Sequence, residues 1–157
     1  MPIHVMHRKQ TLAVGREEAW RFFSDPRNLA RITPPTLGFE IVTPDLPARI
    51  HAGLMIQYRV RPLLGIPLTW LTEITHVAEG HHFVDEQRVG PYALWHHEHW
   101  FRDLGPGRAE VEDRVTYKLP GGWLAEPIHI LVVRKQLAAI FDYRRIAIEK
   151  WFPAQVG

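Results

Sequence analysis

The spacing of hydrophobic and polar positions in the first third of the chain predicts one strand and two short helices. Residues 3–14 are extended in character, and GREEAWRFFSDP has apolar residues at helical spacing before Pro26 ends it. A second short helix is predicted in PRNLARIT, because this segment starts at a proline and stops at Pro34 and Pro35.

The middle of the chain alternates with a period of two residues, which is typical of strands. In LMIQYRV this alternation places Ile56, Tyr58 and Val60 on one side. Similar alternation, or a short apolar run, occurs in GFEIV, LTWLTEITHV, HFVDEQR, ALWHHEHWFRDL and AEVEDRVTYKLP. Together with the extended opening segment these predict seven strands, most of them joined in sequence as a meander.

The C-terminal part returns to helical spacing. Between Trp123 and Phe152 there is no glycine, and the only proline is Pro127. At about 100° per residue, the apolar residues of this segment fall on one face. That face carries Ile130, Val133, Leu137, Ile140, Ala147, Ile148 and Trp151. We therefore expect one amphipathic helix of about seven turns, packed against something large and apolar.

This order of elements predicts an α+β fold. An antiparallel sheet has one face to bury, and only the C-terminal helix is long enough to cover it. A strongly curved sheet around one helix is not always filled by side chains, so a cavity for a small molecule is expected between them. Residues 1–157 are expected to form a single domain.

The stretch ALWHHEHWF carries three histidines and a glutamate within four positions. Because neighbours on a strand point to opposite faces, His97 and His99 share one face, whereas His96 and Glu98 share the other. We assign the face of Trp95, His97, His99 and Phe101 to the interior.

Neighbouring strands supply carboxylates to the same face. Asp113 belongs to the apolar face of AEVEDRVTYKLP, and Asp85 and Gln87 share a face with Phe83. His97 or His99 is therefore expected within reach of Asp113. Arg144 lies within the apolar face of the helix, and a buried guanidinium needs a partner or a polar cavity, which Asp113 or Asp85 could provide.

Composition narrows the classes of function. The 157 residues contain no cysteine, which excludes disulfides and thiolate chemistry, and the net charge of +2 comes without a basic block for nucleic acid. No apolar run approaches the length of a membrane span, and the N-terminal residues do not have the pattern of a signal peptide. We therefore expect a cytoplasmic protein without stable membrane insertion.

The histidines allow three interpretations. Zinc could be bound by His97 and His99 with Asp113 or Asp85 as third ligand. A His–Asp113 pair could act in acid–base catalysis, although no motif of a nucleophile or phosphate loop is present. The preferred interpretation is an interior hydrogen-bonded network, with no metal and no cofactor.

Several segments of the chain resemble the SRPBCC superfamily, which contains START, Bet v 1 and polyketide cyclase/aromatase proteins. They are ARITPP, GIPLTWLTEIT, HFVDEQRVGPY, LWHHEHWF, VEDRVTYKLP and FDYRR. The resemblance implies a helix-grip fold, in which a seven-stranded antiparallel sheet curls around the C-terminal helix and encloses a hydrophobic cavity. It also implies that Trp95, His97, His99, Phe101, Asp113 and Arg144 line or shape this cavity. Members of the superfamily bind lipids, sterols, polyketides or plant hormones, and some catalyse cyclisation.

The expected function is binding of a small hydrophobic molecule, for transport, sequestration or sensing, by a monomer or homodimer. One alternative is a cyclase/aromatase- or hydrolase-like enzyme that uses His97, His99 and Asp113 without a metal, and another is a domain that regulates or binds a protein partner. Loops around Pro34-Pro35 and Leu63-Leu64-Gly65 are predicted to gate the cavity. The predicted ligand-binding residues are Tyr58, Trp70, Phe83, Asp85, Gln87, Trp95, His97, His99, Phe101, Asp113, Tyr117 and Arg144, although a plain core role is the alternative for Tyr58, Trp70, Phe83 and Tyr117.

Overall fold

The computed structural model describes residues 2–62 and 65–153. Its seven strands form one antiparallel sheet in the order β1-β7-β6-β5-β4-β3-β2, so the predicted meander is confirmed. The strands are β1 (His4–Leu12), β2 (Glu40–Ile41), β3 (Met55–Val60), β4 (Leu68–Ala78), β5 (His82–Val89), β6 (Leu94–Asp103) and β7 (Ala109–Lys118).

Two short helices follow β1, as predicted. The first is α1 (Arg16–Phe23), and the second is a 3-10 helix (Pro26–Ile32) that is continued by a short 3-10 turn (Pro35–Leu37). Pro26 occupies the first position of the 3-10 helix, where its missing N–H costs nothing, and the side chain of Asp25 accepts a hydrogen bond from the Arg27 amide. These residues explain why a new helix begins at Pro26.

The C-terminal helix is less regular than the sequence predicts. A 3-10 turn (Gly122–Ala125) leads into α2 (Glu126–Ile128), a π-helical turn (His129–Val133) and α3 (Arg134–Trp151). A π-turn contains one residue more than an α-helical turn, so the residues before it are rotated about the helix axis relative to those of α3. His129 is therefore buried, with 5% of its surface exposed, whereas Ile130 is 55% exposed. The prediction that Ile130 lies on the buried face was wrong for this reason.

The prediction for Trp151 was also wrong in part. Trp151 is the last residue of α3 and is 47% exposed. Its ring packs against Phe22 of α1, with 5.1 Å between ring centroids, and Arg31 covers it at 4.9 Å. The Trp151 ring therefore packs between the end of α3, α1 and the first 3-10 helix rather than against the sheet.

The sheet curves around α3, which is the predicted helix-grip arrangement. The pairing of β4 with β5 shifts register between Leu71 and Thr72 and again between Ile74 and His76, and such irregularities bend a sheet. The buried side of α3 carries Leu137, Phe141, Arg144 and Ile148. Within the described ranges, no helix is long and apolar enough to cross a bilayer.

Candidate ligand-binding cavity

A cavity of about 190 Å³ lies between the sheet, the short helices and α3. Most of its wall is apolar, with Ile56 and Val60 from β3, Ile74 from β4, and Leu137 and Ile140 from α3. The side chains on these strands reach the cavity because their inward positions alternate with outward ones.

Most of the predicted ligand-binding residues lie in the cavity wall. They are Tyr58, Trp70, Phe83, Asp85, Trp95, His97, His99 and Arg144. The face assignment for β6 is also confirmed, because Trp95, His97, His99 and Phe101 are buried. On the other face of β6, His96 pairs with Glu86, with 2.7 Å between Nδ1 and Oε1. The dense histidine stretch is thus divided by the sheet.

Four predicted residues are not among those that line the cavity. Gln87 braces the turn between β5 and β6, since its Nε2 donates to the Tyr92 carbonyl at 2.7 Å and its Oε1 accepts from the Tyr92 amide at 3.2 Å. Phe101 packs in the core against Trp20, with 5.3 Å between centroids. The Tyr117 hydroxyl is hydrogen-bonded to Nε2 of His129, at 2.8 Å. Asp113 does not line the cavity but contacts three residues that do, namely His97, His99 and Arg144.

The polar end of the cavity is a cluster of Asp85, His97, His99 and Asp113, called here the His–Asp cluster. His97 Nε2 donates to Asp113 Oδ1 at 2.9 Å, and His99 Nε2 donates to Asp85 Oδ2 at 2.7 Å. The second nitrogen of each ring faces the other carboxylate. His97 Nδ1 lies 3.4 Å from Asp85 Oδ2, and His99 Nδ1 lies 3.0 Å from Asp113 Oδ1, without hydrogen-bond geometry in the case of His99. The centroids of the two rings lie 3.7 Å apart with an angle of 37° between the ring planes, and each imidazole faces both carboxylates.

Arg144 adds a positive charge at the same end. Its Nη1 lies 3.9 Å from Asp113 Oδ1, and its guanidinium carbon lies 4.6 Å from the Phe141 ring centroid. Arg144 is buried, and its Nε has no hydrogen-bond partner among the residues that the structure describes. A buried, unpaired N–H is costly, and because Arg144 lines the cavity, a rotation of its guanidinium would bring this donor to a polar group bound there.

Burial and charge act in opposite directions on the cluster. Burial raises the pKa of Asp113 and of Asp85, but the adjacent His97 and His99 outweigh it, so both carboxyl groups have a lowered pKa, that of Asp113 well below its usual range. Burial and the charge of His99 lower the pKa of His97. Burial also opposes the charged form of His99, but its bonds to Asp113 and Asp85 raise its pKa. With His97 neutral, the positive charges of His99 and Arg144 balance the negative charges of Asp85 and Asp113.

These directions predict that the two imidazoles titrate on opposite sides of their ordinary pKa of 6.5. Because the pKa of His99 is raised in the folded protein, His99 stabilises the fold fully below pH 6.5, and this contribution is lost as the pH rises through the pKa of the folded state. Because the pKa of His97 is lowered, its contribution to stability is present above pH 6.5 and is lost as the pH falls through the pKa of the folded state. Nitrogen-detected NMR of the two rings against pH measures both values. Asp85→Asn should lower the pKa of His99, and an unchanged value would contradict this account.

The cluster also meets the geometric requirement for metal ligands. Asp85, His97 and His99 can each offer one ligand atom, and these atoms lie within 4.8 Å of one another. Two imidazoles with a carboxylate are a known zinc ligand set. However, the guanidinium of Arg144 lies beside Asp113, and its positive charge opposes a second cation among the histidine–carboxylate contacts of this cluster. The preferred interpretation, a hydrogen-bonded interior network, describes these contacts.

Some wall residues were not predicted. Those on strands, such as Ile56, Thr72 and Ile74, share a face with predicted aromatic residues, so the alternation could have found them. Those on the short helices, including Leu29 and Ile32, give no such signal, because helix placement depends on tertiary packing. Leu37, which follows Pro34-Pro35, lines the cavity, whereas Leu63 and Leu64 lie outside the described residues, so the gating role of both loops stays a prediction.

Comparisons with known proteins confirm the fold. No family model and no curated protein matches this chain. Among solved structures, a START superfamily protein of Mycobacterium smegmatis is 17% identical, over 95% of this chain and 97% of that chain, with a TM-score of 0.66. The Zhui aromatase/cyclase of a Streptomyces species is 16% identical over 98% and 99%, with a TM-score of 0.67. Norcoclaurine synthase of Thalictrum flavum, in complex with dopamine and hydroxybenzaldehyde, is 14% identical over 95% and 88%, with a TM-score of 0.66.

These proteins have the same architecture at low sequence identity. The chain has the helix-grip fold, so the fold that the resemblance predicted is confirmed. They include a START superfamily protein and two proteins named as enzymes, and their shared fold is compatible with binding of a small hydrophobic molecule.

Proposed function

We propose that this protein binds a small hydrophobic molecule that carries one acidic or hydrogen-bonding group. The observation that carries the proposal is the cavity of about 190 Å³, which has apolar walls and one polar end. Apolar walls supply affinity in such sites, and a few polar groups fix the orientation of the ligand. The protein acts in the cytoplasm as a carrier, store or sensor of its ligand.

The size of the cavity limits the ligand. A cavity of roughly 150 Å³ accommodates a benzene molecule, whereas drug-sized ligands occupy roughly 300–1,000 Å³. At about 190 Å³ the cavity suits a compound of one or two rings rather than a sterol. The aromatic side chains of Trp70, Phe83 and Trp95 in the wall favour a flat, unsaturated ring.

The polar end favours a carboxylate or a hydroxyl on that ring. Arg144 lines the cavity with its Nε unpaired among the described residues, and a guanidinium binds carboxylates strongly in a buried setting. Burial raises the pKa of Tyr58 far above its usual range, with the charge of Asp85 adding to the effect, so Tyr58 offers a neutral hydroxyl. Norcoclaurine synthase, which has the same fold, holds dopamine and hydroxybenzaldehyde, both compounds of one ring with hydroxyl groups. This supports a ligand of similar size.

Native mass spectrometry of the purified protein tests the proposal. We expect an added mass of a few hundred daltons at most, which is released on denaturation and identified by fragmentation. Protein without a bound molecule is then incubated with 2-naphthoate and with 2-naphthol, and at least one should bind in a 1:1 complex. If neither a co-purified molecule nor either probe binds, the proposal is wrong.

A second candidate function is catalysis, and one specific observation favours it. His97 and His99 both line the cavity and each is oriented by a carboxylate, an arrangement that suits proton transfer to or from a bound molecule. A cyclase- or hydrolase-like reaction on the bound compound would use this pair. Once a ligand is identified, His97→Ala distinguishes the two functions, because an enzyme would keep binding and lose turnover.

A further inference from the structure

Outside the cavity, three potential metal ligands meet where β1 approaches the start of the C-terminal helix. His4 is the first residue of β1, and Glu126 and His129 lie three residues apart at the start of the helix. His4 Nε2 lies 3.0 Å from Glu126 Oε1, and the rings of His4 and His129 stack at 3.5 Å. Each residue can offer one ligand atom, and these atoms lie within 4.8 Å of one another.

His129 has an unsatisfied nitrogen. The π-turn rotates His129 inward, and only 5% of its surface is exposed. Its Nε2 is bonded to the Tyr117 hydroxyl at 2.8 Å, but its Nδ1 is buried and has no partner within the described part of the chain. Buried ring nitrogens normally have partners, and single π-turns occur frequently at functional sites. The unpaired nitrogen therefore points to a ligand that accepts a lone pair.

The chemistry of the three side chains selects zinc. Two imidazoles and one carboxylate are a known zinc set, with ligand bonds of roughly 2.0–2.2 Å and hence ligand atoms about 3.4 Å apart. The separation of 3.0 Å between His4 and Glu126 already approaches this value. The Glu126 side chain is 33% exposed, so it can rotate to complete the site.

We propose that His4, Glu126 and His129 bind one Zn²⁺ ion, with His129 coordinating through Nδ1. The Nε2–H of His129 then donates to the Tyr117 hydroxyl oxygen, and such a second partner is the usual way in which a ligating imidazole is oriented. The fourth position is open to water, because His4 and Glu126 are only partly buried. The ion ties β1 to the helix and lies apart from the His–Asp cluster.

Zinc titration of the full chain after chelator treatment tests this site. Wild-type protein should bind one equivalent by calorimetry, and zinc at 100 times its Kd should raise the midpoint of thermal unfolding by about 5–10 °C. His4→Gln and Glu126→Gln should each weaken binding by at least about tenfold. Since Glu126 is partly exposed, its substitution tests the site even if a His129→Gln variant does not fold.

Two controls locate the ion. His7→Gln changes an exposed histidine on β1 that faces Glu112, and it should leave binding unchanged. His99→Gln changes the His–Asp cluster and should also leave it unchanged. The proposal is overturned if wild-type protein binds no zinc, if binding survives both His4→Gln and Glu126→Gln, or if it is lost in His99→Gln, which would place the ion in the cavity.

Discussion

Asp113→Asn is expected to lower the free energy of unfolding by about 3–5 kcal/mol, because it removes one partner of a buried charge network. Asp113 Oδ1 lies 2.9 Å from His97 Nε2, 3.0 Å from His99 Nδ1 and 3.9 Å from Arg144 Nη1. Without its negative charge, the buried positive charges of His99 and Arg144 have only Asp85 to balance them. The midpoint of thermal unfolding should fall by about 10 °C, and urea denaturation measures the free energy directly.

Two further variants test the cause of this loss. Asp142→Asn makes the same chemical change at an exposed position of α3 and should alter stability by less than about 0.5 kcal/mol. The double variant Asp113→Asn with Arg144→Met removes both charges and should recover part of the loss. If Asp113→Asn alone is as stable as the wild-type protein, the cluster does not contribute as a charge network.

The second large effect is expected from Ile140→Trp, which should weaken the binding of 2-naphthoate or 2-naphthol by at least about 100-fold. Ile140 lines the cavity from α3, and an indole in its place occupies space that a ligand of one or two rings needs. Overpacking costs typically about 1–3 kcal/mol of stability, which a domain of this size tolerates. Calorimetric titration measures the change in affinity.

Ile146→Trp is the matched control for this experiment. Ile146 lies on the same helix but is 46% exposed, so the same substitution there leaves the cavity unchanged. Circular dichroism of both variants confirms that the fold is kept. Undiminished probe binding in Ile140→Trp would show that the probe binds elsewhere on the protein, and the cavity would lose its proposed role.

Local periodicity explains which parts of the site could be predicted. The alternation on β6 separates His97 and His99 from His96 and Glu98, and the alternation on β7 places Asp113 on the buried face. Both follow from the geometry of a single strand, which needs no knowledge of its neighbours. The position of Arg144 among buried residues of α3 follows in the same way from helical spacing.

The errors arose where local periodicity is interrupted or where a contact is long-range. The spacing of apolar residues does not predict the π-turn at His129–Val133. Because of this turn, His129 is buried and Ile130 is exposed, the reverse of what regular helical spacing predicts. Gln87 lies on the expected strand, yet its side chain braces the turn at Tyr92 rather than the cavity. Such choices depend on the partners that the folded chain brings to each side chain.

By itself, the sequence determined the order of the elements, the α+β architecture and the inward faces of β6 and β7, since these depend on the period of apolar residues and on turn residues. Only the tertiary structure decided that both histidines are shared between Asp85 and Asp113, and that Arg144 Nε has no partner among the described residues. It also decided that His4, Glu126 and His129 meet. Residues separated by more than a hundred positions come together through the register of the sheet and the placement of the helix, and these are set by packing of the whole core.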